Sequence, residues 1–242
     1  MKSKIYIFQT AEKLALAVAD DFAAEVQEAA NRGHALTIVL SGGSTPKRLF
    51  TLLYQPPFSG KIDWRWVHLF WSDERCVPPD HPGSNFGMTR KVLLAQVNIP
   101  PENIHRIRGE ANPTVETERY SQEILKFVPA GADGIPRFDR IFLGMGSDGH
   151  TASLFPDSSA LQVNDRICTV ATHPQSGQKR ITLTLPVINR AVRVTFLIAG
   201  KNKHRVVQAI LSQNEIASQY PAAMVAPQDG RLEWYLDRGA TS

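Results

Sequence analysis

The chain has 242 residues, 43% hydrophobic and 21% charged, enough for one α/β domain over 1–242 with a full core, and no stretch reaches the roughly eighteen apolar residues of a membrane span. The opening MKSKIYIF lacks a sustained apolar region and a small-residue cleavage site, and Cys76 and Cys168 lie far apart without zinc-like spacing; a cytoplasmic protein with no membrane contact, disulfide scaffold or metal site is expected. A net charge of +4 raises nucleic acid as a partner, but the basic residues are dispersed and the one dense run, Lys201, Lys203, His204 and Arg205, has no interleaved aromatics, so a small anionic substrate fits better.

In chain order, residues 5–8 read as a short strand and 11–31 as a helix, with Leu14, Val18, Phe22 and Val26 at three-to-four spacing and Gly33 ending it. The uninterrupted apolar run at 36–40, LTIVL, has the character of a parallel strand buried on both faces. SGGSTPKRLF follows. Thr45 is placed to cap a helix whose first position is Pro46, while Gly42 and Gly43 keep the preceding turn open. Backbone N–H groups, the Ser41, Ser44 and Thr45 hydroxyls and the helix dipole would then face one anion. This is a phosphate cradle; Walker A spacing is absent, and nucleotide hydrolysis is not expected. Another buried strand at 67–71, VHLFW, ends in Ser72, Asp73, Glu74 and Arg75, a charged loop at a strand's carboxyl end. Ser84 or Asn85 caps a helix to about 97, a short strand covers 104–107, and Pro113 opens a helix to about 128.

The stretch 138–156, FDRIFLGMGSDGHTASLFP, joins the apolar run at 141–143 to a turn holding Gly144, Gly146 and Gly149, with Asp148 and His150 at its lip. In open α/β sheets ligands collect outside the carboxyl ends of the strands, and an imidazole there can take and return a proton near neutrality. The glycines also spell G-x-G-x-x-G, but the acidic residue expected about twenty positions on is misplaced: Asp165 precedes an apolar run, and Pro156 follows too soon. A dinucleotide site is therefore set aside. Beyond Pro156 come strands at 167–171, 180–185 and 192–199, a turn or short helix at 186–190, a helix at 201–212 with Lys203 in its first turn, and an edge strand at 232–236. Alternating strands and helices give a mostly parallel sheet flanked by helices.

SGGSTP at 41–46, SDER at 72–75, SNFG at 84–87, GMGSDGHTASLFP at 144–156, RITLT at 180–184 and the G-x-x-K of Gly200 and Lys203, in this order, resemble the 6-phosphogluconolactonase family over nearly the whole chain. The resemblance implies a Rossmann-like α/β fold and hydrolysis of 6-phospho-D-glucono-1,5-lactone without metal or organic cofactor. It further implies phosphate binding by Gly42, Gly43, Ser44 and Thr45 with Arg180 and Lys203, an arginine lining the site at Arg75, and His150 as general base. Either Asp148 or Asp73 would orient the imidazole or the water. The related glucosamine-6-phosphate deaminases carry a glutamate five residues past the histidine; Phe155 stands there and cannot relay a proton. The small-molecule partner implied is a phosphosugar lactone, and monomer and dimer both stay open.

Overall fold

The helical period over 11–31 is realised as α1 (Ala11–Asn31) in a computed structural model that describes residues 3–242. Its Leu14, Val18, Phe22 and Val26 are buried; the Thr10 side chain accepts from the Lys13 N–H at its start, and Gly33 follows its end with φ 67°. The remaining helices are α2 (Ser44–Leu53), α3 (Asn85–Thr89), α4 (Pro113–Phe127), α5 (Leu185–Arg190), α6 (His204–Leu211) and α7 (Arg238–Thr241). The described strands are β1 (Lys4–Phe8), β2 (Leu36–Leu40), β3 (Val67–Trp71), β4 (Asp73–Arg75), β5 (Ile104–His105), β6 (Arg140–Leu143), β7 (Cys168–Thr172), β8 (Lys179–Leu183), β9 (Arg193–Ile198) and β10 (Arg231–Asp237).

Seven strands form one parallel sheet in the order β1-β10-β9-β6-β2-β3-β5. Every residue of β2 and β6 is buried, which is why both read as unbroken apolar or nearly apolar runs. From β2 the chain moves to β3 and β5 on one side, and then from β6 to β9 and β10 on the other. The order therefore reverses between β2 and β6. Helix α1 packs on β9, β10, β1 and α2, and the buried apolar side chains form one continuous cluster. No helix among the described residues is long and apolar enough to cross a membrane.

Three expectations need correction. The 232–236 run is not an edge: β10 lies between β1 and β9, and β1 is the outer strand, because an apolar run reports burial but not which neighbours provide it. The charged residues 73–75 are not a loop. They form β4, which with β8 and β7 makes a second, antiparallel sheet of three strands. The helix expected from 85 to 97 ends as α3 at Thr89 and passes into a wider π turn at Arg90–Leu94.

At the amino ends of β6, β9 and β10 the sheet is tied to α1 by buried charge. Arg140, fully buried, meets Asp21 and Glu25, each at 2.7 Å, and Arg193 meets Asp21 at 2.7 Å and Glu233 at 2.6 Å. Removing Arg193 would leave the buried Glu233 carboxylate without this cation. The opposite ends of these strands are left to the loops.

Candidate active site

Four neighbouring strands, β9, β6, β2 and β3, send their carboxyl ends to one place. Side-chain and backbone bonds stitch those ends together: Ser41 Oγ donates to the Phe142 carbonyl at 2.8 Å, and the Ser72 N–H donates to the Leu40 carbonyl at 2.8 Å. From Ser72 the chain enters the second sheet, where the Leu183 N–H reaches back to the Ser72 carbonyl at 2.8 Å. The result is a cavity of about 250 Å³ at the β2/β6 reversal, the position where open α/β sheets bind ligands. A second groove of about 960 Å³, beside β1 and β10, has no histidine, cysteine or carboxylate among the described residues that line it.

After β2, Gly42 and Gly43 lead into α2. Helix α2 begins at Ser44, with Gly43 at the cap in a left-handed conformation (φ 113°) and no side chain capping it. Thr45 is thus not the cap; it lies buried in the first turn, because the glycine bends the chain two positions earlier than the Thr-Pro pair suggested. With no hydroxyl spent on capping, the start of a ten-residue helix faces the cavity through Gly43, Ser44 and Thr45. Gly42 is needed for packing, since a Cβ there would overlap the Asn85 amide.

Asp73, 5% exposed, lies in the cavity floor. Its carboxylate accepts from Ser153 Oγ at 2.6 Å, Ser72 Oγ at 3.2 Å and Asn85 Nδ2 at 3.3 Å. It makes no hydrogen bond to His150 among the described residues. Next to it, Glu74 turns away and caps α3, accepting from the N–H groups of Asn85 and Phe86 and from Ser84 Oγ at 2.8 to 2.9 Å, and from the Arg75 N–H at 2.8 Å. Burial pushes the Glu74 carboxyl up, and these four donors hold the rise in check.

Arg75 and Arg180 are cross-strand partners of β4 and β8, and both line the cavity. Neither pairs with a carboxylate among the described residues, and the Nε of each is buried without a hydrogen bond. Arg75 donates from Nη1 to the Gly83 carbonyl, which ties the 76–84 loop to it. Burial, and after it the charge of Arg75, lowers the pKa of Arg180. Lys203, in a short 3₁₀ turn after the left-handed Gly200, completes the cationic side; burial lowers its pKa and the charge of Asp148 opposes that.

His150 comes from the turn after β6. Its Nδ1 lies 2.6 Å from Asp148 Oδ1, and its backbone N–H also donates to that oxygen at 3.3 Å. The partial burial of Asp148 disfavours its charge, but the imidazole's hydrogen bond and charge, with the backbone donors, outweigh this and bring the carboxyl down to about 2. A Cβ at Gly146 would overlap both partners, so only glycine admits the pair. At Gly149, φ 82°, a Cβ would run into the Tyr220 ring, while the Gly149 carbonyl accepts from the Ala222 N–H at 3.0 Å; the 220–222 segment thus pins the turn from outside. With Nδ1 engaged, Nε2 is left for the cavity that His150 lines.

The candidate catalytic and phosphate-binding residues Gly42, Gly43, Ser44, Thr45, Asp73, Arg75, His150, Arg180 and Lys203 border this one cavity, and Asp148 stands behind His150. The choice between Asp148 and Asp73 as the imidazole's partner falls geometrically on Asp148. Sequence reasoning missed Ser153 and the side-chain roles of Glu74 and Asn85. Their partners lie ten to eighty positions away, and no local spacing signals them.

The sequence matches the profile of the glucosamine-6-phosphate isomerases/6-phosphogluconolactonase family over residues 9–234. It is 41% identical to the 6-phosphogluconolactonase of Haemophilus influenzae over 96% of both chains, and 45% identical to that of a Synechocystis species over 87% of this chain and 85% of the other. The crystal structure of a devB protein, 41% identical, superposes with a TM-score of 0.92 and covers 99% of this chain and 98% of that one. The 6-phosphogluconolactonase structure from Trypanosoma brucei, 30% identical, gives 0.87 with 99% and 97% coverage. Sequence and fold together make this chain a member of the glucosamine-6-phosphate isomerase/6-phosphogluconolactonase family.

Proposed function

We propose that the protein is a cytoplasmic enzyme that hydrolyses 6-phospho-D-glucono-1,5-lactone to 6-phospho-D-gluconate, the second step of the oxidative pentose phosphate pathway, with no cofactor. The observation that carries this reading is the placing of a carboxylate-held imidazole and an unpaired cationic cluster on the walls of one small cavity. The phosphate sits against Ser44, Thr45 and the start of α2, with Arg180 and Lys203 supplying positive charge. That remote anchor fixes where the lactone carbonyl lies, so its binding energy is used for orientation.

His150 Nε2 takes a proton from water as the water oxygen bonds to C1. Asp148 holds the ring in the tautomer with Nδ1 protonated and favours the imidazolium that forms. Backbone N–H groups of the 144–149 turn, with Arg75, stabilise the oxyanion of the tetrahedral intermediate. On collapse the C1 to ring-oxygen bond breaks, and His150 returns the proton to that oxygen. Asp73, held by three side-chain donors, positions the cavity floor and is not the base.

The test is acceleration of lactone opening over its spontaneous rate, with glucosamine 6-phosphate as a parallel substrate that should not react. His150→Ala should lower kcat by about two orders of magnitude with KM nearly kept. Arg180→Ala and Lys203→Ala should chiefly raise KM. Near wild-type turnover in the histidine variant would reject the base, and an unchanged KM in both cation variants would reject the phosphate anchor.

A further inference from the structure

The chain leaves His150 through a backbone that residues with a Cβ rarely adopt. Ala152 (φ 49°) and Asp157 (φ 58°) are both left-handed, and they bracket residues 153–156, of which Ser153, Leu154 and Phe155 are buried. Strain on both sides of a four-residue segment is tolerated where the inward side chains matter. Ser153 reaches Asp73. Phe155, 1% exposed, reaches something else: its ring centroid is 4.9 Å from that of His150 and 5.8 Å from Arg180 Cζ, with the His173 ring edge-on at 5.0 Å.

These contacts meet two needs that hydrogen bonds leave unmet. The Asp148 bond fixes one atom of the imidazole and leaves the ring free to swing about it; Gly146 and Phe155 lie close against the ring and limit that swing. Among the described residues Arg180 has no carboxylate partner, and its Nε is unbonded, so the aromatic wall steadies its guanidinium. We propose that Phe155 is a positioning residue for both halves of the site, setting the imidazole plane and the guanidinium placement through one ring; this rests on the lactonase reading above.

The experiment compares Phe155→Leu, close in volume, with the wild type, and places it in a double-mutant cycle with Arg180→Ala and another with His150→Ala. Phe155→Leu should lower kcat about tenfold and raise KM about fivefold, the KM effect vanishing in the Arg180→Ala background and the kcat effect in the His150→Ala background. A packing role alone would reduce the folded fraction, lowering apparent kcat and the melting temperature while leaving KM unchanged, and would overturn the proposal. Phe155→Met is the second variant should the leucine protein fail to fold, and the same two constants decide. Wild-type turnover with both constants unchanged in the variant removes this inference alone; no turnover by the wild-type protein removes the reading beneath it.

Discussion

The Asp148–His150 pair shows how far a single residue's chemistry can be read from its neighbours. Both residues stand out in the sequence because they sit at the carboxyl end of an apolar run, where ligands of open α/β sheets collect; a histidine in a glycine-rich turn is by itself more often structural. The choice of Asp148 over Asp73 was not readable. It depends on Ser153, eighty positions from Asp73, occupying that carboxylate at 2.6 Å. With its carboxyl drawn from 3.8 to about 2, Asp148 stabilises the fold above the ordinary carboxylate range, and this contribution is lost as pH falls through about 2. Wild type should accordingly exceed Asp148→Asn in urea resistance at pH 7, with the gap narrowing by pH 3; a gap that widens toward acid would contradict the assignment. The same variant should lose turnover by roughly one to two orders of magnitude at neutral pH, since the amide presents the imidazole with the wrong tautomer.

Elements were legible where burial is uniform or strictly periodic. The bounds of α1, β2 and β3 follow from spacing alone, because each buries a face or both faces against the same core. The β4 segment was not legible: three charged residues imply solvent, yet Asp73 and Glu74 are buried because each finds several donors from distant chain. Glu74 is the sharper case. Three of its four hydrogen bonds start α3 and hold the segment that carries Asn85 to the cavity floor. Glu74→Ala leaves those donors buried and unmatched, and should cost about 2–4 kcal/mol in chemical denaturation despite relieving a buried charge. A loss within about 0.5 kcal/mol, the size of an ordinary surface change, would show that water replaces the carboxylate there.

For the molecule as a whole, the parallel sheet collects at one crevice residues as far apart in the chain as Ser41 and Lys203. Sequence alternation foretold such a sheet, but the small antiparallel sheet was hidden, since its strands read the same whichever sheet they join. That smaller sheet sets Arg75 directly opposite Arg180, two like charges on facing rungs, which is an unfavourable pairing. A dianion shared by the two would reverse its sign. Adding phosphate at constant ionic strength should therefore raise the melting temperature, by about 2–4 °C for each ~1 kcal/mol gained, and Arg180→Ala should lose most of the rise. Equal melting in phosphate and chloride would mean the two guanidiniums do not cooperate in anion capture. Should phosphate raise the melting temperature in this way, thermal endurance and appetite for a charged metabolite become one property: a cell rich in phosphosugars would shelter this protein from heat, and a starved one would leave it the more fragile.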